Sequence, residues 1–176
     1  MRRLAGTRKV GHLGTLDPGA TGVLPLVIGR ATRLAQFFTH NDKVYEGVIH
    51  FGYSTDSYDM DGTPTSPEVP VTLERDAVEA LFHSFRGELM QTPPPVSAKK
   101  IDGRPAYERA RKNLPVDLKP VPVTVHSLEV IAMAGCEVTV RIHCAAGTYV
   151  RSIAHDAGQA MGCGAFLKAL RRLASG

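Results

Sequence analysis

The stretch PVPVTVHSLEVIAMAG (120–135), followed by CEVTVRIHCAAG (136–147), alternates apolar and polar residues through two long runs, with Ala134-Gly135 as a tight turn between them. Period-two alternation sends successive side chains to opposite faces, so each run reads as a strand with one buried face. A turn that short pairs the two runs antiparallel. A lone hairpin is marginal in water, so the rest of the chain has to widen this sheet and cover its apolar face.

The remaining patterns supply those parts. In KVYEGVIHFGY (43–53), Tyr45, Gly47, Ile49, Phe51 and Tyr53 share one face, while Glu46 and His50 lie on the other, which predicts a half-buried strand. Thr72 is placed to cap a helix in which Val78, Leu81, Phe82 and Phe85 make one apolar stripe and Gly87 ends it. YVRSIAHDAGQAMG (149–162) predicts a second helix, with Val150, Ile153, Ala154, Ala157 and Met161 facing inward. ATRLAQFF (31–38) also has helical spacing, and residues 54–70 lose all periodicity and predict a long polar loop. Residues 91–112 open with three prolines, which predict a rigid extended arm, and turn into a basic helix from Ala106. Strands joined by hairpins with helices inserted at intervals define an α+β domain on a mixed, mainly antiparallel sheet with flanking helices. With 176 residues, 43% of them hydrophobic, the chain can build one core, so a single domain over 1–176 is expected.

Several function classes drop out. Neither G-x-G-x-x-G nor G-x-x-x-x-G-K-[ST] occurs, so no nucleotide-phosphate loop is expected. Cys136, Cys144 and Cys163 form no CxxC pair, and His50, His83, His126, His143 and His155 are scattered, so no metal site is expected. The basic start MRRLAGTRKVG is followed by no apolar run, and the longest apolar stretch, Val23 to Ile28, is short and holds Pro25, which predicts a soluble cytoplasmic protein with no membrane partner. An excess of 21 basic over 17 acidic residues suits a polyanionic partner without requiring one.

The candidate chemistry is concentrated in GHLGTLDPGATGVLPLVIGRATR (11–33). Asp17 is the carboxylate there, and Gly14, Pro18, Gly19 and Gly22 keep bulk away from it, so that a substrate can approach. From the residues alone, Asp17 either caps its own turn or does chemistry. By alternation alone Tyr45 reads as a strand aromatic facing the core, and Arg151 as a solvated or phosphate-facing residue in a helix's first turn.

This run resembles the signature loop of the TruB family of tRNA pseudouridine synthases, in which the Asp of G-T-L-D-P is catalytic. The likeness continues in DKVYEGVIHFGYSTDSYDMDG with its T-D-x-x-D-x-D-G loop, in QTPPPVSAKKIDGRPAYERAR, in GTYVRSIAHDAG and in LRRLASG, five segments in the family's order. The texture of residues 11–33 is nearer the bacterial synthases that act on uridine 55 than the guide-RNA-dependent relatives. The resemblance implies a pseudouridine synthase fold and an isomerase that turns uridine into pseudouridine in the tRNA T-loop without a cofactor. It assigns Asp17 to the anomeric carbon, Arg151 to pairing with Asp17, and Tyr45 to stacking on the base and to proton handling. It places His12 against the RNA beside the displaced uridine.

Lys99, Lys100, Arg104, Arg109 and Arg111 after the proline arm, with Arg171 and Arg172 near the C-terminus, form candidate contacts for T-arm phosphates. The family's usual K-P-x-G-x-T-S segment and its C-terminal RNA-binding domain have no counterpart here, so a catalytic domain shortened at both ends, acting as a monomer on tRNA, is expected. Two further readings follow from the same residues: a catalytically weak tRNA-binding or folding module, and a component of a larger assembly.

Overall fold

The computed structural model describes residues 1–97 and 118–176, and between them only the backbone of residues 100–101 and 104–105. The hairpin is its centre. β8 (Val121–Ala134) and β9 (Glu137–Cys144) pair antiparallel, and β9 pairs in turn with β4 (Lys43–Phe51). The six-stranded sheet has the order β2-β10-β4-β9-β8-β5, with β2 (Thr21–Gly22), β5 (Gly87–Gln91) and β10 (Ala165–Ser175). All its pairings are antiparallel except the short β2–β10 pair, which makes the sheet mixed and mainly antiparallel. Two small ladders stand apart: β1 (Val10–His12) with β3 (Leu26–Ile28), and β6 (Lys100–Ile101) with β7 (Arg104–Pro105).

One face of the sheet is dry. Ile49 and Phe51 of β4, Val138, Val140 and Ile142 of β9, and Val125 and Leu128 of β8 are buried there, against Val78 and Phe82 of α2 (Arg75–Ser84) and Ile153, Ala154 and Ala157 of α3 (Val150–Ala160). The alternation in β4 and the α3 stripe thus bury the residues their spacing selects. The opposite face is polar, with Arg141 on Glu46 at 3.1 Å and His50 facing Glu137 at 3.4 Å.

Two predicted boundaries shift. The helix α2 begins at Arg75 rather than after Thr72, with Glu74 in the capping position and no side-chain cap; Leu73 packs half-buried against the core, so the chain stays extended past Thr72. The segment 31–38 is a 3-10 turn over Gly29–Leu34 followed by a short α1 (Ala35–Phe38), with Phe37 and Phe38 exposed. Its apolar residues have no sheet to cover, so nothing extends it into a full helix. The strand β10, which the sequence patterns above do not predict, adds the sheet's longest antiparallel pairing with β4 and is broken by bulges after Leu167 and Arg172. The helix expected from Ala106, with Lys99, Arg109 and Arg111, lies outside the described residues, as do the side chains of Lys100 and Arg104. Among the described residues no helix is long and apolar enough to cross a membrane.

Candidate active site

Asp17 lies on the loop between β1 and β2. Its turn is closed by the backbone, with the Ala20 N–H donating to the Asp17 carbonyl at 2.9 Å. The side chain is therefore not spent on capping. It points instead at Arg151, whose Nη2 donates to Oδ1 at 3.0 Å and whose Nε lies 2.9 Å from Oδ2. The second contact falls off the N–H axis, so it acts as an ion pair beside one well-directed hydrogen bond.

Arg151 belongs to the first turn of α3, and three partners fix it there. Its Nη1 donates to the carbonyls of Ser57 and Val96, both at 3.0 Å, and stands 3.3 Å from Asp59 Oδ2. The Arg151 side chain is 6% exposed while Asp17 is 38% exposed, so the cation is buried and its carboxylate faces the solvent-accessible side. A buried guanidinium is tolerable only when it is paired and hydrogen-bonded, and here two carbonyls and Asp17 Oδ1 accept from its Nη atoms while two carboxylates balance its charge. The helix start is itself anchored: the Tyr149 N–H donates to Gln91 Oε1 at 2.8 Å, Gln91 Nε2 donates back to the Tyr149 carbonyl at 3.1 Å, and Ser152 Oγ donates to the Thr92 carbonyl at 2.7 Å.

The loop of residues 54–70 delivers Asp59. Ser57 Oγ donates to Asp59 Oδ1 at 2.5 Å, and Thr55 Oγ1 donates to the Asp59 carbonyl at 2.8 Å. Backbone bonds from Met60 N to the Leu167 carbonyl and from Leu167 N to the Tyr58 carbonyl tie the loop to β10.

Tyr45 sits on the inner face of β4, paired in register with Arg172 of β10. Burial raises its phenol pKa, and the neighbouring Arg172 guanidinium opposes that rise. Lys43, one inward position earlier, has its ammonium pKa lowered by burial and by Arg172. These residues, with Asp17, Arg151, Leu170 and the 145–149 turn, line a cavity of about 520 Å³, within the ~300–1,000 Å³ typical of small-molecule sites.

Arg172 differs from its sequence reading as a surface phosphate contact. It is 1% exposed, and its guanidinium donates to the carbonyls of Val23 at 2.7 Å, Gly14 at 3.2 Å and Thr15 at 3.5 Å. Adjacent strand residues point to opposite faces, so Arg171 is exposed and Arg172 cannot share its role. Gly22 makes that approach possible: its φ is +103°, and a Cβ there would lie 2.1 Å from the Arg172 carbonyl. His12 is exposed at the end of β1. Lys43, Asp59 and Gln91 carried no sequence signal of their own, although Asp59 lies inside the quoted T-D-x-x-D-x-D-G run.

The one-sided sheet carries a loop-borne carboxylate held by a buried arginine, and likeness to known proteins identifies the whole as a pseudouridine synthase fold. The structural likeness agrees: the chain matches a solved Cbf5–Nop10–Gar1 complex with a TM-score of 0.75 and 30% identity, covering 99% of this chain and 43% of that one. It also matches an H/ACA RNP bound to a substrate RNA containing 2′-deoxyuridine, with a TM-score of 0.70, 27% identity and coverage of 99% and 41%. The chain belongs to the TruB family, since the model of TruB family pseudouridylate synthase (N terminal domain) matches residues 2–150. Among curated relatives, tRNA pseudouridine synthase B of Solibacter usitatus (strain Ellin6076) is 60% identical over 176 residues, 100% of this chain and 60% of its own length. The protein of the same name from Aquifex aeolicus (strain VF5) is 47% identical over 94% of this chain and 58% of its own length. The chain thus spans about three fifths of these relatives.

Proposed function

We propose that this chain is a pseudouridine synthase catalytic domain that converts a uridine of the tRNA T-loop, at position 55, into pseudouridine. The observation that carries the reading is the Asp17–Arg151 pair, with its carboxylate open to a cavity that Tyr45 also lines. The reaction breaks the N1–C1′ bond, turns the uracil and forms a C5–C1′ bond, while C5 loses a proton and N1 gains one. Every atom but the exchanged proton comes from the substrate, so the isomerisation balances with no cofactor. A carboxylate beside C1′ stabilises oxocarbenium character or bonds to the sugar, which requires it to be ionised. Arg151, bonded to Oδ1 and paired with Oδ2, fixes its aim. Arg172 holds the loop backbone that carries Asp17, as a positioning residue.

Tyr45 stacks on the base and takes part in moving the C5 proton. Its raised pKa keeps the phenol protonated at neutral pH, so it acts as a donor or as one link in a relay rather than as a standing base. His12 and Arg171, both exposed, contact the T-arm, joined by Lys99, Lys100, Arg104, Arg109 and Arg111, and the protein works as a monomer.

The test is release of tritium from C5 of uridine in a tRNA transcript. Wild type is expected to release it and Asp17→Asn to release none while still binding tRNA. Binding without release by wild type would instead assign the chain to a tRNA-binding module.

A further inference from the structure

The histidines show no metal-ligand spacing in sequence, yet folding brings two of them onto one carboxylate. His126 Nε2 stands 3.2 Å from Asp42 Oδ2, and His143 Nε2 stands 3.4 Å from the same oxygen. All three ligand atoms lie within 4.8 Å of one another. We propose that Asp42, His126 and His143 bind a divalent transition-metal ion of the zinc class, clamping the start of β4 to the β8–β9 hairpin.

The register explains the convergence. His143 pairs directly with Val44, which puts both on the polar face, and Asp42 precedes Val44 by two residues on that side. On β8 the pairing steps from Val125↔Cys144 to Ser127↔His143, leaving His126 as the extra residue of a bulge. A bulge re-aims its side chain, and here it lays the His126 ring beside that of His143, with centroids 4.7 Å apart.

The spacing suits a metal. Bonds of ~2.0–2.1 Å in a tetrahedral zinc site put neighbouring ligand atoms ~3.3 Å apart, the separation of each imidazole nitrogen from the carboxylate oxygen. Three protein ligands leave a fourth position for water. Two imidazoles and one carboxylate favour zinc, cobalt, nickel or copper over magnesium or calcium. The side chains are 38%, 42% and 43% exposed for His126, His143 and Asp42, so an ion can enter without unfolding. The Asp42 carbonyl also accepts the Gly176 N–H at 3.1 Å, so the clamp gathers the far end of β10 beside the first residues of β4.

The competing state is a metal-free cluster in which each Nε2–H donates to Asp42. Chelator-treated protein without a polyhistidine tag should be titrated with ZnCl2 by calorimetry and with CoCl2 by visible absorption, alongside thermal melts. The expected result is one Zn²⁺ per chain with micromolar or tighter affinity, a raised melting temperature, and tetrahedral cobalt bands. His126→Gln, His143→Gln and Asp42→Asn should each weaken binding by ~10-fold or more, as loss of a metal's protein support commonly does. Cys136→Ser and Cys163→Ser should leave it unchanged. Millimolar affinity, or unchanged affinity in folded His126→Gln and His143→Gln proteins, would overturn the site in favour of the hydrogen-bonded cluster.

Discussion

At the scale of single residues, the site divides labour between two buried arginines. Arg151 addresses the Asp17 carboxylate and Arg172 the carbonyls on either side of it, so one aims the side chain and the other holds its backbone. Arg172→Met should therefore lower kcat/KM through misplacement of Asp17, and cost on the order of 2 kcal/mol of stability for the lost charge-assisted bonds, read by single-turnover kinetics and urea melts. Arg172→Lys should recover little, because a point ammonium cannot span the Val23 and Gly14 carbonyls. Tyr45→Phe removes the hydroxyl and keeps the ring. Single-turnover rates should fall by ~10²–10⁴, the usual worth of a positioned proton-transfer group, while tRNA affinity changes little. A Tyr45→Phe protein with the wild-type rate would assign the proton to water.

At the scale of elements, the contact between α3 and β10 decides whether Arg151 and Arg172 face the same cavity. Gly158 sits in that contact: a Cβ there would lie 2.0 Å from the Ala165 backbone nitrogen and 2.4 Å from the Gly164 carbonyl carbon. Alanine is better than glycine in a helix interior by roughly 1 kcal/mol, which would make Gly158→Ala stabilising on propensity alone. Overpacking against rigid backbone costs ~1–3 kcal/mol, so the expected sign is destabilisation, measured by denaturant unfolding. Activity should fall with it, because the helix must move away from the strand and carry Arg151 along.

At the scale of the whole molecule, pH and salt act through groups that the fold has relocated. His155 stacks on Tyr58 with ring centroids 3.8 Å apart, and burial lowers its pKa below the ordinary imidazole value of 6.5. As pH falls through 6.5, the unfolded chain takes up a proton that the folded one refuses, so stability falls. His155→Gln should flatten that acid limb in melts between about pH 5.5 and 7.5, in a window set by the His reference value. Asp156 beside it has its pKa raised by burial, so its contribution is lost as pH rises and carries the opposite slope. If T-arm phosphates are held by Arg171 and the basic segment, log affinity for tRNA should fall linearly with log salt, and Arg171→Gln should shallow the slope by about 1. Much of this molecule was legible in its sequence. Alternation placed Ile49, Phe51, Val138 and Val140 in the core, and the helical stripe did the same for Ile153, Ala154 and Ala157, because burial on one face is a local, periodic property. The G-T-L-D-P run located Asp17 as well. Its partnership with Arg151 spans 134 positions, and the assembly of Asp59, Arg172 and Lys43 around it depends on strand order, which no local pattern encodes. Arg171 and Arg172 are chemically alike and adjacent, and only the side of β10 each one faces separates a surface cation from the residue that holds the loop carrying Asp17.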